Sequence, residues 1–125
     1  MTELTRTNFE QTVSKRGIVL VDCWATWCGA CGGFEQTYKT VADRHPKHTF
    51  AKLDVGRYGE ICSTLGLTHV PSLLLYRDGI LLFKDSGSFD EATLNEIIDQ
   101  AEKLDMDMVR EELGVEEDGN DLNAS

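Results

Sequence analysis

Ile18-Val19-Leu20-Val21-Asp22-Cys23-Trp24 is an almost unbroken apolar run, and soon after it two cysteines stand three positions apart in Cys28-Gly29-Ala30-Cys31. The run has the length of a strand, and its nearly continuous apolar character predicts cover on both faces, as in the parallel part of an α/β sheet. The glycine and alanine that follow open a helical pattern, so the two thiols fall on a first helical turn. Positions i and i+3 are neighbours there, close enough for the Cα window of about 4.4–6.8 Å that a disulfide requires. Such a pair can open and close without rearranging the fold.

The rest of the composition limits what this pair can be. A chain of 125 residues is expected to form one domain with a hydrophobic core that needs no disulfide staples. Its four cysteines, Cys23, Cys28, Cys31 and Cys62, include one close pair and are too few for a disulfide scaffold. The first residues lack the apolar stretch and cleavage pattern of a signal peptide, and no apolar run reaches the roughly 18–20 residues of a membrane span. A cytoplasmic location is therefore expected, without membrane contact. In a reducing compartment C-x-x-C is a catalytic or metal pair rather than a structural bridge. The net charge of −10 is uneven: residues 102–125 carry nine acids and two bases, whereas residues 1–101 carry thirteen acids and ten bases. No basic face is in prospect, which argues against a nucleic-acid partner.

Along the chain, Thr7 and Glu10 match a capping box that opens a short helix to about Val13. After the strand at residues 18–24, a helix is predicted from Gly29 to about Arg44, ended by Pro46. His48–Val55 reads as a strand, Glu60–Leu65 as a short helix closed by Gly66, and Val70–Tyr76 as a strand with proline at its start. Arg77-Asp78-Gly79 reads as a hairpin turn leading into the returning strand Ile80-Leu81-Leu82-Phe83, which Gly87 ends, and helix resumes from Phe89 with Leu94, Ile97, Ile98, Ala101 and Leu104 on one stripe.

With the order β-α-β-α-β-α-β-β-α, these motifs together resemble the thioredoxin family over about residues 3–103. Residues 21–31 look like that family's active-site segment, Val70-Pro71-Ser72 like its cis-proline loop, Asp78-Gly79 like its hairpin turn and Gly87 like its late glycine. The resemblance implies a thioredoxin fold: a central mixed sheet flanked by helices on both faces. It also implies a thiol–disulfide oxidoreductase that reduces protein disulfides, needs no cofactor of its own, and draws electrons from a thioredoxin-reductase-like donor.

The helix start supplies a mechanism independently, because unpaired N–H groups and the positive dipole end stabilise a thiolate. Cys28, nearer the terminus, is the expected nucleophile, and Cys31 resolves the mixed disulfide. Acidity alone does little. Lowering a thiol pKa from about 8.5 to about 7 raises the thiolate fraction at pH 7 about 16-fold. The accompanying loss of nucleophilicity removes about 5-fold. Proximity and a better leaving thiolate must carry more.

By the same resemblance Asp22 is a buried carboxyl that exchanges protons with Cys31 through water, its pKa raised by burial. The plain alternative is a charge at a strand edge. Lys52 matches a lysine near that aspartate and would oppose the rise, or is an ordinary strand lysine. Trp27, Gly29, Ala30, Val70, Pro71 and Gly87 are expected to meet an extended substrate segment. Trp24 is expected in the core, His69 in a plain loop or close enough to favour the thiolate when protonated, Cys23 as a small core side chain, and Cys62 as a structural or regulatory thiol.

The chain departs from the family pattern at two prolines. Ala30 and Gln36 stand where proline is usual, and Gly32-Gly33 predict a straighter but softer helix. The redox domain is expected to span residues 1–103, with an acidic extension over 104–125. There helix persists to about Glu112 and a disordered end begins at Val115. That extension is either a solvated tail or a docking element that lays Met106, Met108 and Leu113 on a partner or a second copy. Two rival functions stay open: a non-catalytic binding module or co-chaperone, and a zinc site on Cys28 and Cys31. The latter lacks two further ligands, since His45-Pro46-Lys47-His48 falls short of the usual histidine spacing.

Overall fold

The residues at 18–24 do form a strand, β2 (Ile18–Trp24), at the middle of a five-stranded sheet. The computed structural model describes residues 1–114. The other strands are β1 (Thr2–Glu3), β3 (Thr49–Asp54), β4 (Ser72–Arg77) and β5 (Ile80–Ser86), in the order β1-β3-β2-β4-β5. β2 pairs parallel with β3 and antiparallel with β4, so the sheet is mixed. Helices α1 (Phe9–Val13), α2 (Gly29–Arg44), α3 (Gly59–Leu65), α4 (Glu91–Lys103) and α5 (Met106–Leu113) complete the fold.

The unbroken apolarity of β2 follows from two cores. Ile18 and Leu20 face a cluster built with Phe34, Tyr38 and Val41 of α2 and Leu94 and Ile98 of α4. Val19, Val21 and Cys23 face the opposite cluster, with Val13 of α1 and Cys62 of α3. The pleat alternates successive side chains, so Asp22 belongs to the α2 face. There Tyr38 anchors α2 to the sheet, its hydroxyl donating to the Ala51 carbonyl at 2.9 Å.

Two local expectations differ from what is observed. The turn before α1 is closed not by Thr7 and Glu10 but by Thr5 and Asn8. The Asn8 N–H donates to Thr5 Oγ1 at 3.2 Å and the Thr5 N–H to Asn8 Oδ1 at 2.7 Å. This is the same reciprocal capping logic two residues earlier. β5 runs to Ser86 and Gly87 ends it, as expected.

The second difference is that helix does not continue unbroken through the extension. α4 stops at Lys103, Leu104 is extended, and Asp105 starts α5 by accepting from the N–H groups of Asp107 and Met108 at 3.0 and 3.3 Å. Arg77 helps to enforce the break, its Nη1 donating to the carbonyls of Ala101 and Leu104 at 2.7 and 3.0 Å.

α5 then folds back on the body. Met106 is 5% exposed, so of the three residues expected to dock on a partner only Met108 and Leu113 face outward. Arg110 is buried and pairs with Asp78 Oδ2 at 3.5 Å in the β4–β5 turn. That turn has positive φ at both Asp78 (53°) and Gly79 (83°), as a two-residue hairpin of type I′ demands. The acidic end expected from Val115 lies outside the described residues.

Candidate active site

β2 delivers its chain to the start of α2, where Cys28 is the N-cap residue and Cys31 lies one turn inside. The two are joined as a disulfide with a Cα–Cα separation of 5.4 Å. They differ in access. Cys28 is half-buried, whereas Cys31 is 5% exposed. Trp27, Gly29 and Ala30 are exposed around them, with Trp27 at 69%. Opened by two electrons, this arrangement offers one reachable sulfur at the positive end of a 16-residue helix and a second beneath it.

Asp22 is fully buried, and neither carboxylate oxygen has a hydrogen-bond partner among the described residues. Burial pushes its pKa up to about 7, with Lys52 pulling it down and Glu35 adding to the rise. Lys52 is the register partner of Asp22 across β2 and β3. Its ammonium is committed elsewhere, at 2.6 Å from Glu35 Oε2 and 4.9 Å above the Trp24 ring. A proton acceptor near neutrality therefore lies on the same face as α2, with its cation partly neutralised.

The loop before β4 carries a cis Val70-Pro71 peptide bond. Pro71 is buried and Val70 half-buried. The Gly87 N–H donates to the Pro71 carbonyl at 2.8 Å. Gly87 does so at φ 136°, a backbone conformation that side chains disfavour. A cleft of about 310 Å³ opens between Trp27 and Val70, lined also by Val55, Cys62, Leu67 and His69. His69 Nδ1 is 2.8 Å from Thr68 Oγ1.

Each residue singled out from the sequence is thus accounted for in space. Cys28, Cys31 and Trp27 lie at the β2–α2 junction, with Gly29 and Ala30 opening the helix. Asp22 and Lys52 are side by side on the sheet, and Val70, Pro71 and Gly87 meet through the β4 loop.

Two neighbours had no signal in the sequence, and a third had one that did not place it. Glu35 is one, since its partner lies seventeen positions away. Gly56 is another: a Cβ there would sit 2.5 Å from Trp27 Cζ3, so the indole rests on its bare backbone. The third is Cys62, which the helix pattern of α3 could not place at the cleft. Its thiol is raised in pKa by burial and lies 3.8 Å from the Val55 carbonyl. Cys23 is fully buried with its pKa also raised by burial, and serves as a core side chain.

Comparison with known proteins gives the same answer. The Thioredoxin family pattern matches residues 1–100. A thioredoxin-family sequence of Streptomyces coelicolor is 41% identical over 108 residues, covering 86% of this chain and 81% of the relative. A thioredoxin of Alicyclobacillus acidocaldarius is 39% identical over 77 residues, covering 61% of this chain and 73% of its own length. Among solved structures, a thioredoxin variant from Halobacterium salinarum superposes with a TM-score of 0.74 at 30% identity, covering 83% of this chain and 94% of that one. With its redox pair at disulfide distance on a shared fold, the chain belongs to the thioredoxin family and is a thiol–disulfide oxidoreductase.

Proposed function

We propose that the chain reduces protein disulfides by a two-step exchange in which Cys28 attacks and Cys31 resolves. The Cys28 thiolate attacks one sulfur of the substrate disulfide. That S–S bond breaks, one substrate thiolate leaves, and a mixed disulfide forms. Cys31 then attacks Cys28 Sγ, its proton passing to the Asp22 carboxylate. The second substrate thiolate departs and the Cys28–Cys31 bond closes, so two electrons have moved to the substrate.

The single observation that carries this reading is the asymmetry of the pair: a half-buried sulfur at the helix start above a buried one. Attack on an incoming disulfide favours the former, and protected resolution the latter. Lys52 tunes Asp22 rather than pairing with it. Trp27, Gly29, Ala30, Val70, Pro71 and Gly87 form the surface on which an extended substrate segment adds beside the cis-proline loop. Electrons return from a thioredoxin-reductase-like flavoenzyme, which makes the chain an electron carrier of the cytoplasm. Residues 1–103 constitute the redox domain, and 104–125 the acidic extension, whose helix α5 braces the hairpin turn. Among the described residues no helix is long and apolar enough to cross a membrane.

Insulin reduction with a dithiol donor tests the proposal. The wild-type chain is expected to accelerate reduction, and Cys28→Ser to fall to the uncatalysed rate. An inactive wild type with both thiols intact would instead favour a binding module on this scaffold.

A further inference from the structure

The far end of α2, about 24 Å from the redox pair by helix rise, gathers a second set of chemical groups. His45 follows the helix, and the His48 N–H donates back to the His45 carbonyl at 3.0 Å. The Pro46-Lys47 corner is thereby closed as a turn with proline at its second position, where its φ is already set. First and fourth residues of a turn lie close together, and the two imidazoles stack with centroids 5.7 Å apart and planes 13° apart. A third group arrives from the last turn of α4, where Glu102 Oε2 is 2.6 Å from His48 Nε2. One ligand atom from each of His45, His48 and Glu102 lies within 4.8 Å of the others.

We propose that His45, His48 and Glu102 form a binding site for a first-row transition-metal ion of the zinc class. Two imidazoles and a carboxylate are a donor set that zinc accepts, with a fourth position left for water. A tetrahedral zinc ion with bonds of about 2.0–2.1 Å needs its ligands roughly 3.3–3.5 Å apart. The exposed Glu102 side chain therefore moves outward by about an ångström, the imidazoles turn inward to close the span of up to 4.8 Å, and the ion replaces the hydrogen bond between His48 and Glu102.

Two further observations suit a bound cation at this corner. His45 Nε2 is 2.9 Å from Asn95 Oδ1. An amide oxygen accepts, so Nε2 carries a hydrogen and Nδ1 is the nitrogen left to face an ion. An acceptor on the outer ring nitrogen orients a ligating imidazole toward its ion. The carbonyl end of the 16-residue α2 also points its negative dipole at this corner. A hollow of about 400 Å³ lined by Asp43, His45, Pro46 and His48 gives the ion a way in. Sequence spacing alone set this histidine pair aside. The ligand that completes it lies 54 positions further along the chain. A bound ion would tie the end of α2 to the end of α4 without touching the cysteines.

The test uses the untagged full chain in its disulfide form, so that Cys28 and Cys31 cannot bind metal, titrated with zinc chloride by calorimetry. One equivalent is expected to bind, and cobalt(II) in its place to give the visible absorption of a four-coordinate site. His45→Ala and His48→Ala should each weaken zinc binding by about 100-fold or more. Asn95→Ala, which removes no ligand, should weaken it by about 10–100-fold. Circular dichroism of each variant establishes that it is folded. Absence of saturable binding by the wild-type chain up to millimolar zinc, or undiminished binding by a folded His45→Ala/His48→Ala chain, would overturn the proposal.

Discussion

Replacing Asp22 with asparagine removes an ionisable group and nearly nothing else, so its effect must depend on pH. Asp22 is fully buried, with both oxygens unpartnered among the described residues, and burial raises its pKa from 3.8 to about 7. In the unfolded chain the carboxyl releases its proton near the ordinary value, about 3.9. Between the two values the folded state holds a proton that the unfolded state has lost, so stability falls as pH rises through this window. Below about pH 4 the carboxyl is neutral in both states and contributes no slope. Above about pH 7 the destabilisation is complete. At about 1.36 kcal/mol per pKa unit, a rise from 3.8 to about 7 corresponds to about 4 kcal/mol.

Asp22→Asn should remove that loss. Urea unfolding of the disulfide forms would be compared every half unit from pH 4 to pH 9. The variant is expected to gain on the wild type steadily to about pH 7, by up to about 4 kcal/mol, and then hold level. Burying an amide adds an offset that does not vary with pH, so the slope carries the test. A flat difference across pH 5–7 would refute the burial argument.

Three other substitutions probe separate parts of the account. Ala30→Pro deletes one first-turn N–H of α2. If that donor supports the reduced thiolate, losing a charge-assisted hydrogen bond of about 1.5–3 kcal/mol should make the couple more reducing by about 30–60 mV, as read by glutathione equilibration. Gly56→Ala places a methyl against the Trp27 ring. Stability should change by under about 1 kcal/mol, because an exposed indole can swing away, while Trp27 fluorescence shifts and KM for a protein disulfide rises. Arg110→Ala removes the guanidinium that meets Asp78 and Asp107. Denaturant unfolding should register a loss of about 1–3 kcal/mol, and proteolysis should cut first near α5.

The central strand and the redox pair were legible because each rests on local spacing: a seven-residue apolar run and two thiols one helical turn apart. The Asp78-Gly79 turn was legible for the same reason, since few residues tolerate positive φ at two successive positions. What the sequence hid depends on distant partners. Thr7 and Glu10 match the capping pattern as well as Thr5 and Asn8 do in composition, but Asn8 Nδ2 also donates to the Glu3 carbonyl at 3.1 Å, which favours the earlier box. The apolar stripe runs from α4 toward Met108 without a break, yet Arg77 from β4 takes the last carbonyls and Asp105 caps a new helix. At the active site, Lys52 looked like the cation for Asp22. Only the packing of α2 reveals that Glu35 holds its ammonium at 2.6 Å.

The most direct measurement of the exchange itself uses Cys31→Ser mixed with a disulfide-containing protein, followed by mass analysis under non-reducing conditions. The account predicts a lasting covalent adduct through Cys28, absent when Cys28→Ser is used instead. An adduct formed through Cys31 in the Cys28→Ser chain, or none from either variant, would contradict it.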